Sequence, residues 1–408
     1  MTKLHSVHPK KGRGHFDLCL LVILIILLSC GLIILYSATR YTDAKEHPGQ
    51  PFYTITRQVI FLAAAFVSML FMSKTDYHKL LKLALPGFLL SIALGILVLF
   101  FGKEVNGQKR WFAVGPISFQ PAEFAKLMLI FMLSSFFHKN YRKSASWSLI
   151  IKAVGITLPI FLPVVSANLS SGLIIAGIAF VMTYVASEHR PFFLISTAAA
   201  IFTCVFAFQS GLLTAILDEY QMNRIYAWID PEEFPLSNGF QVLQGLYAIG
   251  AGGLFGTGLG NSLQKLGFLP ESQNDMIFSI ICEELGLFGA VLIIFLFLLL
   301  LWRMMEIAQN APDDEGMFLV SGIMGHIGIQ YIRKMALSGY VLHVDLSPVR
   351  ELVSLQRRCS NNLNQVAIQA NTYGAIYPEE LEALQRDYAA LWEPLSDLLK
   401  QLSALVEL

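Results

Sequence analysis

The feature that most constrains this chain is a series of eight apolar stretches, each close to the roughly 20 residues that a helix needs to cross a bilayer. Charged residues make up only 14% of the 408 residues, against about a quarter in soluble proteins. We therefore predict an all-α polytopic membrane protein of about eight to nine transmembrane helices, with a large extracytoplasmic loop and a soluble helical C-terminal tail. The apolar stretches lie near residues 17–37, 56–73, 80–101, 119–137, 148–165, 169–187, 192–216 and 276–302, and a weaker ninth covers about 316–332.

Charge and cysteine usage exclude several function classes. The formal net charge is +0, which argues against a nucleic-acid-binding protein driven by bulk electrostatics. The five cysteines are scattered, and their spacing matches neither a metal site nor a disulfide framework. The first apolar stretch is too long for a cleaved signal peptide and no small-residue cleavage site follows it.

Basic residues in the short loops predict the orientation, because cytoplasmic loops carry an excess of Lys and Arg. They place the N-terminus in the cytoplasm. One loop, before the fourth stretch, is an exception, since it carries three cations on the outer side. Cations on the outer side, where Lys and Arg are normally scarce, suggest an anionic ligand. The cytoplasmic cations are Lys74, Lys79, Lys82, Lys139, Arg142 and Lys143, and the three outer ones are Lys103, Lys109 and Arg110.

The outer loop leads into a helix start. Pro121 suits the first helical turn, Glu123 follows near its positive end, and Lys126 lies one turn further on. Two interpretations remain open from the residues alone. Trp111 and the lysines could form an ordinary interfacial belt, or the cations could bind an anionic substrate.

The long polar stretch Asn223–Gly289 separates two apolar stretches, and connectors of this length are mostly functional. Within it, GAGGLFGTGLG (Gly250–Gly260) superficially resembles a nucleotide loop. No strand precedes this run and no Gly-Lys-Ser/Thr ends it, so close backbone packing is the better explanation of its glycines.

Two acidic positions near the end of this stretch each have two interpretations. Asp275 directly precedes an apolar helix, so it could be a helix cap or a general base at the membrane boundary. Glu283 lies eight residues further on and on the same helical face. An acid within a span is either structurally paired or functional.

The run FLPESQNDMIFSIICEELG (Phe268–Gly286) resembles the SEDS family of FtsW, RodA and SpoVE, and its Asn-Asp form is closest to the FtsW type. The resemblance extends over about residues 15–330. It implies that Asp275 is the essential catalytic carboxylate, which acts as the general base. The residues that the family resemblance adds as substrate-binding are Arg110, Trp111, Gln120, Glu123, Lys126, Arg224, Lys265, Glu271 and Glu283.

The resemblance further implies a peptidoglycan glycosyltransferase of the bacterial plasma membrane that polymerises lipid II. Its expected partners are a class B penicillin-binding protein and divisome components, with no nucleic acid for the membrane domain. No cofactor is identified, and a requirement for a divalent cation stays open. The alternatives are a flippase for a lipid-linked substrate and an inactive truncated fusion product.

Three departures from the family pattern concern the C-terminal part and one loop. The usual tenth span and its outward Pro-Phe-Ile-Ser-Tyr-Gly-Gly motif are not present, and Asn168 stands where relatives usually have an acid. The composition changes after Gln330. We therefore expect a membrane domain over 1–330 and a helical tail over 331–408, and the tail resembles MobC-type plasmid mobilisation proteins in RRCSNNLNQVAIQAN.

Overall fold

The computed structural model describes residues 17–105, 108–114, 117–141, 144–212, 214, 219–231, 239–270 and 272–337. The chain divides into two units, Met1–Tyr340 and Val341–Leu408. The second unit lies outside the described residues, so the expected helical tail stays a prediction.

Long helices dominate the described part of the chain, as the apolar stretches predict. Nine of its helices contain 18 residues or more, and seven of these are apolar enough to cross a membrane. The chain is thus an all-α, multi-pass membrane protein. The seven are α1 (Leu18–Glu46), α2 (Tyr53–Ser73), α4 (Ala84–Phe101), α6 (Trp147–Ala167), α7 (Leu169–Ala186), α8 (Arg190–Gln209) and α11 (Ile277–Gln309); the other two are α5 (Pro121–Asn140) and α12 (Asp314–Leu337).

Shorter elements fill the connections. The loop before α5 forms a small antiparallel sheet with the order β1-β2-β3, which the sequence analysis did not anticipate. Its strands are β1 (Lys103–Val105), β2 (Gln108–Val114) and β3 (Ile117–Phe119), and the short helices are α3 (Tyr77–Leu81), α9 (Glu219–Ile229) and α10 (Phe240–Gly252).

The centre of the bundle is formed by α4, α5, α6, α7 and α12, whose buried aliphatic and aromatic side chains make one continuous cluster. The outermost helices bury little. No residue of α2 and only Phe193 of α8 is buried. These helices leave many apolar side chains exposed. Exposure of these side chains to water would be unfavourable, so this surface is suited to contact with lipid.

The helix α12 packs antiparallel to α5. The Ser134 hydroxyl, near the end of α5, donates to the Glu315 carbonyl at the start of α12, at 2.7 Å. Further along, Gly322 lies against the Ile130 side chain. The end of α12 therefore lies beside the beginning of α5, and we call this region the site end of the bundle.

The helix α12 also runs past the boundary expected at residue 330, because it ends only at Leu337. Its last two turns contain Tyr331, Arg333 and Lys334. The Tyr331 ring stacks on Phe297 of α11, with ring centroids 4.0 Å apart. These turns are thus packed against the membrane helices.

Candidate functional site

The start of α5 has the geometry that its sequence predicts. Gln120 occupies the N-cap position in an extended conformation, Pro121 opens the helix, and Glu123 lies in its first turn. Proline suits this position because its missing N–H would have no partner there. The positive end of the helix dipole and the free backbone N–H groups favour an anion at the same place.

Lys126 is the most unusual residue of this helix, because its side chain is only 1% exposed. Its ammonium donates to Glu123 Oε1 at 2.7 Å, and Glu123 itself reaches the surface. Arg333 and His326 of α12 lie within electrostatic range of Lys126. A buried ammonium is costly unless it is paired, so the position requires a specific reason for keeping its charge.

Arg110 and Gln120 line one narrow crevice between α4, α5 and α6. Arg110 belongs to β2, and its Nε is buried without a hydrogen-bond partner in the described part of the chain. Asn168 lines the same crevice and caps α7, since its side chain accepts from Ser171 N at 3.3 Å. The neutral residue found in place of the family's acid therefore lies beside Arg110 and serves as a helix cap. Trp111 follows in β2 and is half-buried.

Asp275 lies just before α11, whose N-cap position is taken by Met276. Its Oδ1 accepts from the Lys334 ammonium at 2.6 Å, and Lys334 also donates to the Asn274 carbonyl at 3.1 Å. The Asp275 and Lys334 side chains are 41% and 39% exposed. A substrate can therefore reach this carboxylate.

Glu283 is held by groups of the loop before α11. It is fully buried and accepts from the Ser262 hydroxyl, from Leu263 N at 2.8 Å and from Gln264 N at 3.4 Å. These bonds fasten the loop before α11 to that helix. Structural pairing, the alternative left open by the sequence, accounts for these contacts of the acid.

Lys265 is paired within the same region. Its ammonium donates to Glu284 Oε1 at 2.6 Å and to the Ser37 hydroxyl of α1 at 2.9 Å, and both ionic side chains are buried. Lys265 also lines a second cavity of about 620 Å³, which runs along α1 past Tyr36 and Arg40.

The glycine-rich run packs closely, as its composition predicts. Gly252 lies against the Cys282 carbonyl, and Gly256 against the Glu284 carbonyl. Gly286 interrupts α11 with a φ of 67°, a conformation that favours glycine, and it meets the backbone of Leu254 and Gly256. A side chain at any of the three glycines would collide with backbone.

The structure thus brings together some of the expected site residues but not all. Lys334, at the end of α12, pairs with Asp275, and its neighbour Arg333 lies within electrostatic range of Lys126. Arg110 and Gln120 line the crevice at the start of α5. Asp275 lines neither of the two cavities. Glu271 and the side chain of Arg224 lie outside the described residues. In the described residues, no cluster of His, Cys, Asp and Glu could hold a metal ion.

Arg333 and Lys334 were not among the expected site residues. They lie beyond the last apolar stretch, where the change of composition suggested a separate tail. One signal could have found them. His326 and Arg333 follow Gly322 by 4 and 11 residues, so the three share the helical face that packs on α5.

Comparisons with known proteins cover this whole region. A model of the cell cycle proteins FtsW, RodA and SpoVE matches residues 17–342. Stage V sporulation protein E of Bacillus subtilis is 37% identical over 324 residues, covering 77% of this chain and 85% of that protein. The probable peptidoglycan glycosyltransferase FtsW of Trichlorobacter lovleyi is 34% identical over 328 residues, covering 79% and 84%.

A solved structure shows the same fold. It is a chain from a peptidoglycan synthase complex in which polymerization and crosslinking are coordinated. The TM-score is 0.63 at 26% identity, and the alignment covers 79% of this chain and 87% of that one.

Proposed function

We propose that this chain, which belongs to the FtsW, RodA and SpoVE family and is a peptidoglycan glycosyltransferase, polymerises lipid II with Asp275 as its general base. The observation that supports the proposal is the ion pair of Asp275 with Lys334 at the end of α12, whose neighbour Arg333 lies within electrostatic range of Lys126. Transfer of a sugar from its diphosphate requires a base for the acceptor hydroxyl and positive charge to stabilise the leaving diphosphate.

In the proposed reaction, the Asp275 carboxylate takes the proton from the 4-hydroxyl of the GlcNAc on the acceptor lipid II. The freed oxygen attacks the anomeric carbon of the donor MurNAc and forms the new glycosidic bond. The bond between that carbon and the diphosphate oxygen breaks, and undecaprenyl diphosphate leaves with the electron pair. Attack from the face opposite the leaving group inverts the anomeric carbon and gives a β-1,4 link.

Lys126 and Arg110 offset the charge of the leaving diphosphate. Arginine presents a fork of donors that matches phosphate oxygens, whereas lysine acts as a point charge. Arg110 is half-buried and lines the crevice at the positive end of α5, and Lys126 is buried in the same helix. Fixed charge of this kind is usually the largest single contribution to catalysis.

We assign Glu283 and Lys265 to holding the loop before α11 rather than to substrate, because protein groups already occupy their polar atoms. The transport alternative was argued from an outward-facing polar cavity with Glu283 in it, and Glu283 lines neither of the two cavities described above. We propose further that the N-terminus is cytoplasmic, that the site end faces outward, and that a class B penicillin-binding protein crosslinks the strands.

The direct test uses purified full-length protein in proteoliposomes with fluorescent lipid II. The wild-type chain should give polymer, and Asp275→Asn should give none. Asp314→Asn is a matched control, because it removes the same charge at the opposite end of α12. Absence of polymer from the wild type, together with failure to complement loss of an intact relative, would favour the inactive fusion product.

A further inference from the structure

The end of α12 has contacts that neither the family motifs nor the proposed reaction uses. Because α12 runs antiparallel to α5 from the Ser134–Glu315 contact through Gly322 and Ile130, each further turn of α12 lies nearer the start of α5. His326 therefore lies opposite Lys126, and the last two turns of α12 lie beside the positive end of α5.

Arg333 lies in this last part of α12 with an unsatisfied polar atom. Its Nε is buried and has no hydrogen-bond partner among the described residues. A buried N–H donor without an acceptor is unfavourable, so an anion at this atom would be stabilising. Lys126, which is within electrostatic range, adds a second positive charge. Among the described residues, the half-exposed Glu123 is the one acid paired with Lys126, so the local charge favours a further anion.

Lys334, the next residue, contacts the other half of the reaction centre. Its ammonium donates to Asp275 Oδ1 and to the carbonyl of the preceding residue, Asn274. Because Lys334 donates to both Asp275 and Asn274, it holds the carboxylate in one orientation at the start of α11. Of the adjacent residues Arg333 and Lys334 in one helical turn, Lys334 thus contacts the proposed base, and Arg333 lies within electrostatic range of Lys126.

We propose that the last turn of α12 completes the reaction centre: Arg333 binds the diphosphate of the lipid-linked donor together with Lys126, and Lys334 positions Asp275. The identity of the substrate rests on the proposed function. The placement of the two residues does not, since it follows from the packing of α12 on α5 and from the ion pair.

The test of Arg333 measures binding without turnover. Full-length protein in nanodiscs is titrated with undecaprenyl diphosphate and, separately, with undecaprenol. Arg333→Gln should weaken binding of the diphosphate about tenfold, the size expected for a hydrogen bond between charged groups, and leave binding of undecaprenol unchanged. Arg333→Lys should lose less, because it keeps the charge. Arg57→Gln, which removes an exposed arginine of α2, is the control and should change neither affinity.

This experiment distinguishes failure of the proposed function from failure of the assignment of Arg333. If the wild type makes no polymer but Arg333→Gln still weakens binding of the diphosphate, the proposed function fails and the anion site stands. Unchanged affinity for the diphosphate in both Arg333 variants, with undecaprenol binding intact, would overturn the assignment of Arg333.

The test of Lys334 separates positioning from binding. Lys334→Met should lower kcat about tenfold, as expected for loss of one charged hydrogen bond, and change KM by less than about twofold. Lys334→Arg should restore most of the rate. A rise in kcat for Lys334→Met would mean that the lysine restrains the base, and would contradict the positioning role.

Discussion

At the scale of single residues, the buried ammonium of Lys126 is the clearest sign that this helix start serves a ligand. A lysine that is 1% exposed is rare, because the desolvation of its charge is unfavourable. Evolution for stability alone would favour an apolar side chain of similar length. The residue therefore indicates a function that needs charge at this place.

Replacing Lys126 by methionine tests this interpretation. Lys126→Met keeps the volume and removes the charge, so the midpoint of thermal unfolding should stay the same or rise. The rate of lipid II polymerisation should fall at least about a hundredfold, as for loss of one preorganised charge. Unchanged polymerisation in a folded variant would remove Lys126 from the mechanism.

For the buried pair of Lys265 and Glu284, we expect the opposite effect on stability. Lys265→Met alone leaves Glu284 buried and uncompensated, so we expect a loss of about 3–5 kcal/mol of unfolding free energy. The double variant Lys265→Met, Glu284→Leu should recover most of that stability, and polymerisation with it. A stable double variant without activity would show that Lys265 also binds substrate, as the family resemblance implies.

The sequence predicted the site residues unequally, for physical reasons. Asp275, Glu123 and Lys126 could be found because local motifs carry them. Arg333 and Lys334 were missed because their contacts are with elements distant in sequence, and helical spacing gives the face of α12 but not those contacts. Glu283 was open to two interpretations, since periodicity gives the face of a helix but not the hydrogen-bond partners of a side chain.

At the scale of elements, the interruption of α11 at Gly286 determines how the glycine-rich run docks. The break frees backbone groups that pair with this run. Leu287 N donates to the Gly253 carbonyl at 2.9 Å, and Thr257 N donates to the Glu283 carbonyl at 2.9 Å. The sequence predicted close packing of the glycines, but not the break itself, because an isolated glycine also occurs in continuous helices.

Substitution at Gly286 should therefore destabilise the protein. In Gly286→Ala, the left-handed backbone alone costs about 1–3 kcal/mol, and the new methyl group meets the backbone of Leu254 and Gly256. Thermal unfolding in detergent should show a lower midpoint. Gly155→Ala in α6 is the control, since nothing lies within 4 Å of its new methyl group. A midpoint equal to wild type for Gly286→Ala would contradict the docking described here.

The short helix α3 is tied to the start of α12 by a pH-dependent contact. His78 lies 2.7 Å from Asp76 Oδ1 and 2.9 Å from Asp313 Oδ2. The hydrogen bond to Asp76 is the main cause that raises the pKa of His78 above its ordinary 6.5. A raised pKa in the folded state means that protonation favours folding.

This contact predicts how stability changes with pH. The stabilisation is fully present below about pH 6.5, the pKa of an unfolded histidine, and is lost as the pH rises through the raised pKa of the folded state. The difference in unfolding midpoint between wild type and His78→Gln should therefore shrink as the pH rises from 6 to about 9. A difference that is constant over this range would show that the ion pairs do not contribute.

At the scale of the whole molecule, the apolar stretches predicted the architecture well. Eight or nine spans were expected, and the structure has nine long helices in its described part. The more polar α5 and α12 are the two that fall short of membrane-span hydropathy, and both lie in the centre of the bundle. Helices shielded from lipid can carry the charged residues that a site requires.

Two features of the whole chain escaped the sequence analysis. Two of the three strands before α5 have only three residues, too short for alternation to distinguish them from a loop. The weak last span was expected over about 316–332, with the membrane domain ending at residue 330, because the composition changes there. The residues after 330 instead continue α12 to Leu337 at the site end, and the family match extends to residue 342.

We propose that Asp275 carries the chemistry, whereas Lys126, Arg110 and Arg333 bind the donor. The most direct measurement follows lipid II binding and single-turnover polymerisation on the same preparation of Asp275→Asn. The account predicts donor affinity within about twofold of wild type, because Asn keeps the shape of the side chain, and no polymer, because the amide accepts no proton. Polymer formed by this variant at the wild-type rate would contradict the account.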